Sequence, residues 1–119
     1  MGKRSRQRDR ALPKLSVPPG EYRDEQDNVL VLRGSLTAAA RREYAAVLSG
    51  GLHREDAWQR ALELLFERLA VSWVISGLEI TRQKELLGRY RMASTEERRF
   101  VRDALRRHVT EQFPELEAP

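Results

Sequence analysis

The chain has 119 residues, of which 40% are hydrophobic and 34% charged, with a formal net charge of +4. That length holds one domain with one core, and the absence of cysteine excludes disulfides and thiolate chemistry and suits a reducing compartment. The longest apolar run is interrupted by Glu63, Glu67 and Arg68, which excludes a transmembrane span, and the basic N-terminus lacks the apolar region of a secretory signal.

The charge is unevenly placed. Residues 1–14 carry six Lys/Arg against the single acid Asp9, a net of +5, so the other 105 residues are close to neutral at −1. Such a leader is too poor in apolar groups to offset the entropy of ordering and is expected to be disordered. It reads either as a basic arm for nucleic acid or an acidic partner, or as a solvated extension; no aromatic side chain interleaves its cations for base stacking. Residues 15–114 are expected to form a single helical domain and 115–119 a flexible C-terminus. The fold class this implies is mostly α: a small helical bundle with a short N-terminal β-strand or hairpin.

In chain order, Lys14–Val17 can form a short extended segment that Pro18-Pro19-Gly20 stops. Asp24–Asn28, the sequence DEQDN, reads as a solvated turn; it lacks the glycine and terminal glutamate of a calcium loop. Val29-Leu30-Val31-Leu32, bounded by Asn28 and Gly34, reads as a strand that can pair with Glu21–Arg23. Ser35 or Thr37 then caps a helix from about Ala38 to Leu48, closed by Gly50-Gly51. Asp56 to Gly77 is the longest apolar stretch. Trp58, Leu62, Leu65, Leu69 and Trp73 recur at spacings of four, three, four and four, so the periodicity predicts one long central helix that Gly77 ends. Leu78 and Ile80 follow in a tight connection, and Thr81 can cap a short helix containing Leu86, Leu87 and Tyr90. Ser94 and Glu97 have the capping-box spacing for a last helix, about Thr95 to Gln112, burying Phe100, Val101, Ala104, Leu105, His108 and Val109.

Little in this pattern carries covalent chemistry. His53 and His108 stand far apart without metal-ligand spacing, Gly50-Gly51 lacks the residues of a phosphate loop, and no serine sits in a nucleophile elbow. Glu63 and Glu67 lie one turn apart, as paired acids would, but fit the polar strip of the central helix equally well. The expectation is a non-enzymatic chain with no cofactor and no metal. Its densest charge pattern is Arg98, Arg99, Arg102, Arg106 and Arg107, of which Arg98, Arg102 and Arg106 make an i, i+4 stripe that reads as a solvated face, as a protein-binding surface, or as a basic surface for nucleic acid.

The order of these features resembles the tail assembly chaperones of long-tailed bacteriophages and prophages, particularly those of actinobacteria. The strand and helix start NVLVLRGSLT, the helix REYAAVL, the tryptophan element AVSWVISGLEIT, KELLGRYR and the closing HVTEQFPEL carry the resemblance, over roughly residues 28–114. Val31, Arg33, Gly34, Leu36, Thr37, Trp73 and Gly77 are its individual residues. The chain departs from the family pattern in its lean GLEITRQ segment and in its basic leader. The resemblance implies a protein of the bacterial host cytoplasm that binds and shields the tape-measure protein, or another tail component, during tail assembly. On that basis the partner surface is expected to be an apolar groove flanked by Tyr44, Leu64 and Val71. The alternative is a small basic accessory protein that binds nucleic acid through the leader and the arginine stripe.

Overall fold

The computed structural model describes residues 17–51 and 53–119; the basic leader lies outside them. Their order is β1 (Gly20–Arg23), β2 (Val29–Leu32), α1 (Ala38–Leu48), α2 (Arg54–Leu69), β3 (Ala70–Ile75), β4 (Leu78–Ile80), α3 (Gln83–Arg91) and α4 (Thr95–Gln112). The four strands form one antiparallel sheet in sequence order, with the helices packed on one of its faces. This corrects the expectation of a mostly α bundle: the protein is α+β. Among the described residues no helix is long and apolar enough to cross a membrane.

The correction turns on Leu69. The stretch expected to be one helix is helical only from Arg54 to Leu69 and continues directly as strand β3. Before that point the residues are helix formers, ALELLFERL; after it come Val71, Trp73, Val74 and Ile75, whose branched or aromatic side chains suit a pleated surface. The spacing of four between Leu69 and Trp73 belongs to no continuous helical face. Nor does Gly77 cap a helix. With Ser76 (φ 52°) and Gly77 (φ 80°) both left-handed between paired Ile75 and Leu78, it completes a two-residue hairpin turn of type I′.

Cross-strand register assigns the two faces. Tyr22, Leu30, Trp73 and Ile80 lie opposite one another in a row across all four strands, and this row faces the helices. Arg23, Val29, Val74 and Glu79 form the neighbouring row on the other face, where the valines are half-buried and the charged ends exposed. Between Val31 and Leu32 the register slips, leaving Val71 as the extra residue of a bulge. Asn28 ties the two hairpins together. Its amide donates to Asp24, which also accepts the N–H groups of Gln26 and Asn28, and its carbonyl accepts the N–H of Ser76.

Helix ends follow local chemistry. Thr37 accepts from the Ala40 N–H at the start of α1, and Ser94 and Glu97 make a reciprocal capping box at the start of α4. Helix α2 begins after His53 with no side-chain cap, and Glu55 and Asp56 complement its dipole in the first turn. The core gathers Leu65, Phe66 and Leu69 of α2, Leu86 and Tyr90 of α3, and Val101, Leu105 and Val109 of α4 over Leu30, Leu32 and Trp73. Phe66 stacks on Tyr90 at 4.9 Å and meets Trp73 edge-on at 5.7 Å. The Trp73 indole N–H has no hydrogen-bond partner among the described residues, while the Arg89 guanidinium lies 5.5 Å from the ring centroid.

Candidate functional site

Helices α2 and α4 each carry a stripe of residues four apart, and the two stripes face each other across an open groove. On α2 the stripe is Arg54, Trp58 and Leu62; on α4 it is Arg98, Arg102 and Arg106. Two adjoining hollows of about 280 and 380 Å³ share Gln59, Leu62 and Arg102 and so run into each other. Arg98 lies beside Leu62 and Arg106 beside Arg54, so the helices run in opposite directions along the groove. Its floor is apolar: Trp58 and Leu62 are half-buried, and Tyr90 closes one end.

The three arginines of the α4 stripe are exposed but differ in freedom. Arg98 is tied down, donating to the carbonyls of Arg91 (2.8 Å) and Ala93 (3.4 Å) and lying 5.3 Å from the Tyr90 ring centroid. Arg106 donates through Nε to the Pro119 oxygen at 2.7 Å, with Asp103 3.9 Å away. Arg102 lines both hollows and has no hydrogen-bond or ion-pair partner among the described residues. The guanidinium groups along this apolar floor are permanently charged and present fixed hydrogen-bond donors.

The segment after α4 closes one end of this groove. Phe113 is buried, Leu116 and Ala118 pack against the core, and Glu115 pairs with Arg41 of α1. The Tyr44 hydroxyl donates to the Glu117 carbonyl, and Pro119 lines the hollow beside Trp58. Residues 115–119, expected to be a flexible C-terminus, therefore lie against the body.

The residues expected to flank a partner groove occupy different settings. Tyr44 is only 1% exposed, enclosed between α1 and the C-terminal segment, with burial pushing its hydroxyl pKa well up. It offers no surface. Leu64 on α2 and Val71 at the β3 bulge are half-buried. Glu63 accepts from Arg91 at 2.6 Å, a contact that holds its carboxyl below the usual range, the reverse of what a general acid needs.

A larger hollow of about 540 Å³ lies between the β1–β2 turn and the start of α4, with Asp24, Glu25, Glu96, Glu97 and Asp103 among its walls. Three of these acids are already engaged: Asp24 orders the turn, Glu97 serves the capping box and accepts from Arg89 at 2.6 Å, and Asp103 lies 3.9 Å from Arg106. No group of three His, Cys, Asp or Glu among the described residues is placed to hold a metal ion.

On its other side α4 buries a polar junction. His108 is fully enclosed; its Nε2 lies 2.6 Å from the Arg33 carbonyl and its Nδ1 2.8 Å from the Tyr22 hydroxyl. With Nε2–H donating to the carbonyl and Nδ1 accepting from the tyrosine, the ring is neutral and both nitrogens are satisfied. Burial lowers its pKa, with the Arg33 carbonyl and Glu111 opposing.

The periodicity pointed to the arginine stripe but assigned Trp58 and Leu62 to the core. The signal that places them in the groove is the i, i+4 continuation back to Arg54, which makes the first two turns of α2 a stripe charged at one end. Comparison with protein-family models, curated proteins and solved structures finds no match to this chain.

Proposed function

We propose that the protein is a binding module of the phage tail assembly chaperone type, holding an amphipathic segment of the tape-measure protein or another tail component until assembly proceeds. The observation that supports this reading is the α2–α4 groove, with its half-buried Trp58 and Leu62 between walls of arginine. A partner segment laid along it removes apolar area from water at both surfaces, while the guanidinium groups set its register. The bacterial host cytoplasm is where such a role is exercised, and the resemblance in residues 28–114 selects the tail partner.

The second reading, a small basic nucleic-acid-binding protein, draws on the same groove: Arg102 and Arg106 stand beside the half-buried Trp58, on which a base could stack. Co-expression with the tape-measure protein of the same genome separates the two. The chaperone reading expects the partner to stay soluble and to co-purify through moderate salt, because apolar burial is not screened. A chain that ignores tail components but retards nucleic acid, with an affinity falling steeply as salt rises, carries the second reading instead.

A further inference from the structure

The C-terminal segment reaches the groove only at Pro119, and lies over a neighbouring surface of similar chemistry. Glu115-Leu116-Glu117-Ala118 alternates acids with apolar side chains; its apolar members pack on the core while Glu115 meets Arg41, and Arg106 takes up the Pro119 oxygen at the groove's mouth. Beyond that mouth the floor continues past Trp58 and Leu62 and the walls continue with Arg102 and Arg98, and none of this length is covered by the segment. The uncovered part repeats the features the segment engages: an apolar strip, beside cations that have no carboxylate.

We propose that the α2–α4 groove selects partner segments in which acidic residues flank leucine or alanine, and that residues 115–119 of this chain compete for its Arg106 end. This deepens the binding-module reading and rests on it. Charge complementarity commits the occupant. The groove walls hold Arg54, Arg98, Arg99, Arg102 and Arg106, and Glu55 is the acid among its lining residues. A lysine-rich segment would face like charge along the whole length, while an acidic one gains charge-assisted contacts over the apolar seam. Glu115 on Arg41 and Glu117 under Tyr44 anchor the segment over α1, but at the mouth itself its hold is the one hydrogen bond from Arg106 to Pro119, so a longer segment of the same chemistry can displace that end.

The test uses the full chain and two fluorescein-labelled peptides of about 14 residues, enough to follow the 98–106 stripe of roughly 12 Å as helix or strand. One repeats the order Glu-Leu-Glu-Ala and the other Lys-Leu-Lys-Ala, and binding is read by anisotropy beside an oligothymidylate of similar charge. The acidic peptide should bind at least about tenfold tighter than the lysine peptide, and Arg102→Glu should erase or invert that preference. Glu115→Gln with Leu116→Ala, which loosens the segment without removing it, should strengthen acidic-peptide binding severalfold. A melt in parallel shows that each variant is folded. Equal affinity for the two peptides, or an oligothymidylate that binds as tightly as the acidic peptide, overturns the selectivity. Unchanged affinity in the loosened variant overturns the competition. If either occurs while the tape-measure protein still co-purifies, this inference falls and the chaperone reading stands.

Discussion

The two sides of α4 are built from the same eighteen residues and obey different rules. Inward, Val101, Ala104, Leu105 and Val109 are sealed against the sheet and α2, and even the one polar member, His108, has both ring nitrogens satisfied. Outward, Arg98, Arg102 and Arg106 stand in water around an open groove. On the inner side a side chain is judged by volume and by whether each polar atom finds a partner. On the outer side neither matters much to folding, and charge is free to serve recognition. A substitution on one side of the helix should therefore change stability and one on the other side binding, even between neighbours such as Val101 and Arg102.

The largest effects are expected inside. Trp73→Ala should cost about 3–5 kcal/mol and Leu105→Ala about 2–5 kcal/mol, the transfer term plus the cavity left in a close-packed core. Urea denaturation measures both. Midpoints close to wild type would break the comparison at its base.

Gly34 comes next, because its backbone approach is close. A Cβ there would lie 2.6 Å from the carbonyl oxygens of both Val17 and Pro18, backbone atoms that cannot swing away as a flexible side chain does. Gly34→Ala should cost about 1–3 kcal/mol as an overpacking change. Gly88→Ala is the control, since nothing lies within 4 Å of the added atom, and in the middle of a helix it should be neutral or stabilising.

The buried junction sharpens the comparison by adding pH. Tyr22→Phe leaves Nδ1 of His108 without its donor and should cost about 1–3 kcal/mol. Because burial holds the folded His108 pKa below its ordinary value, the unfolded chain takes up the proton first as pH falls. The stability contributed by neutral His108 is thus complete above about pH 6.5 and is lost as pH falls toward and through the folded value, at up to about 1.4 kcal/mol per unit. Denaturant midpoints measured between pH 8 and 5 should fall more steeply for wild type than for His108→Gln. Parallel curves would mean the ring is not held neutral.

The smallest effect on stability is expected outside. Arg102→Ala should stay within about 0.5 kcal/mol of wild type, since it removes an exposed cation with no partner among the described residues. Its consequence should appear in peptide affinity instead. A large drop in melting temperature with unchanged affinity would reverse the assignment of the two faces.

Much of the chain was legible where the signal is local. Helices α1 and α4 coincide with the expected bounds, because Thr37 and the Ser94–Glu97 pair announce their starts through hydrogen bonds that reach only three residues. The β1–β2 hairpin was legible for the same reason: the polar turn DEQDN lies directly before the VLVL run. The split at Leu69 was not. A buried helix and a buried strand are both continuous apolar runs, and only the partner decides which backbone is used. Here the partner is Leu30, some forty positions earlier in the chain, whose strand offers Trp73 a ladder of hydrogen bonds that a helix would leave unused.

Of the candidate site, the sequence by itself determined the arginine stripe, since the i, i+4 spacing places Arg98, Arg102 and Arg106 on one side of any helix they form. It also determined the dry inner face of α4 and the two capped helix starts. What covers each apolar side chain was decided only in three dimensions. Tyr44 is enclosed because Glu117 and Phe113 fold back over α1, and Trp58 borders open space because α2 and α4 stand apart at that end. Both are aromatic residues on amphipathic helices, indistinguishable by period. Burial is a property of the neighbours as much as of the residue, and those neighbours come from distant parts of the chain.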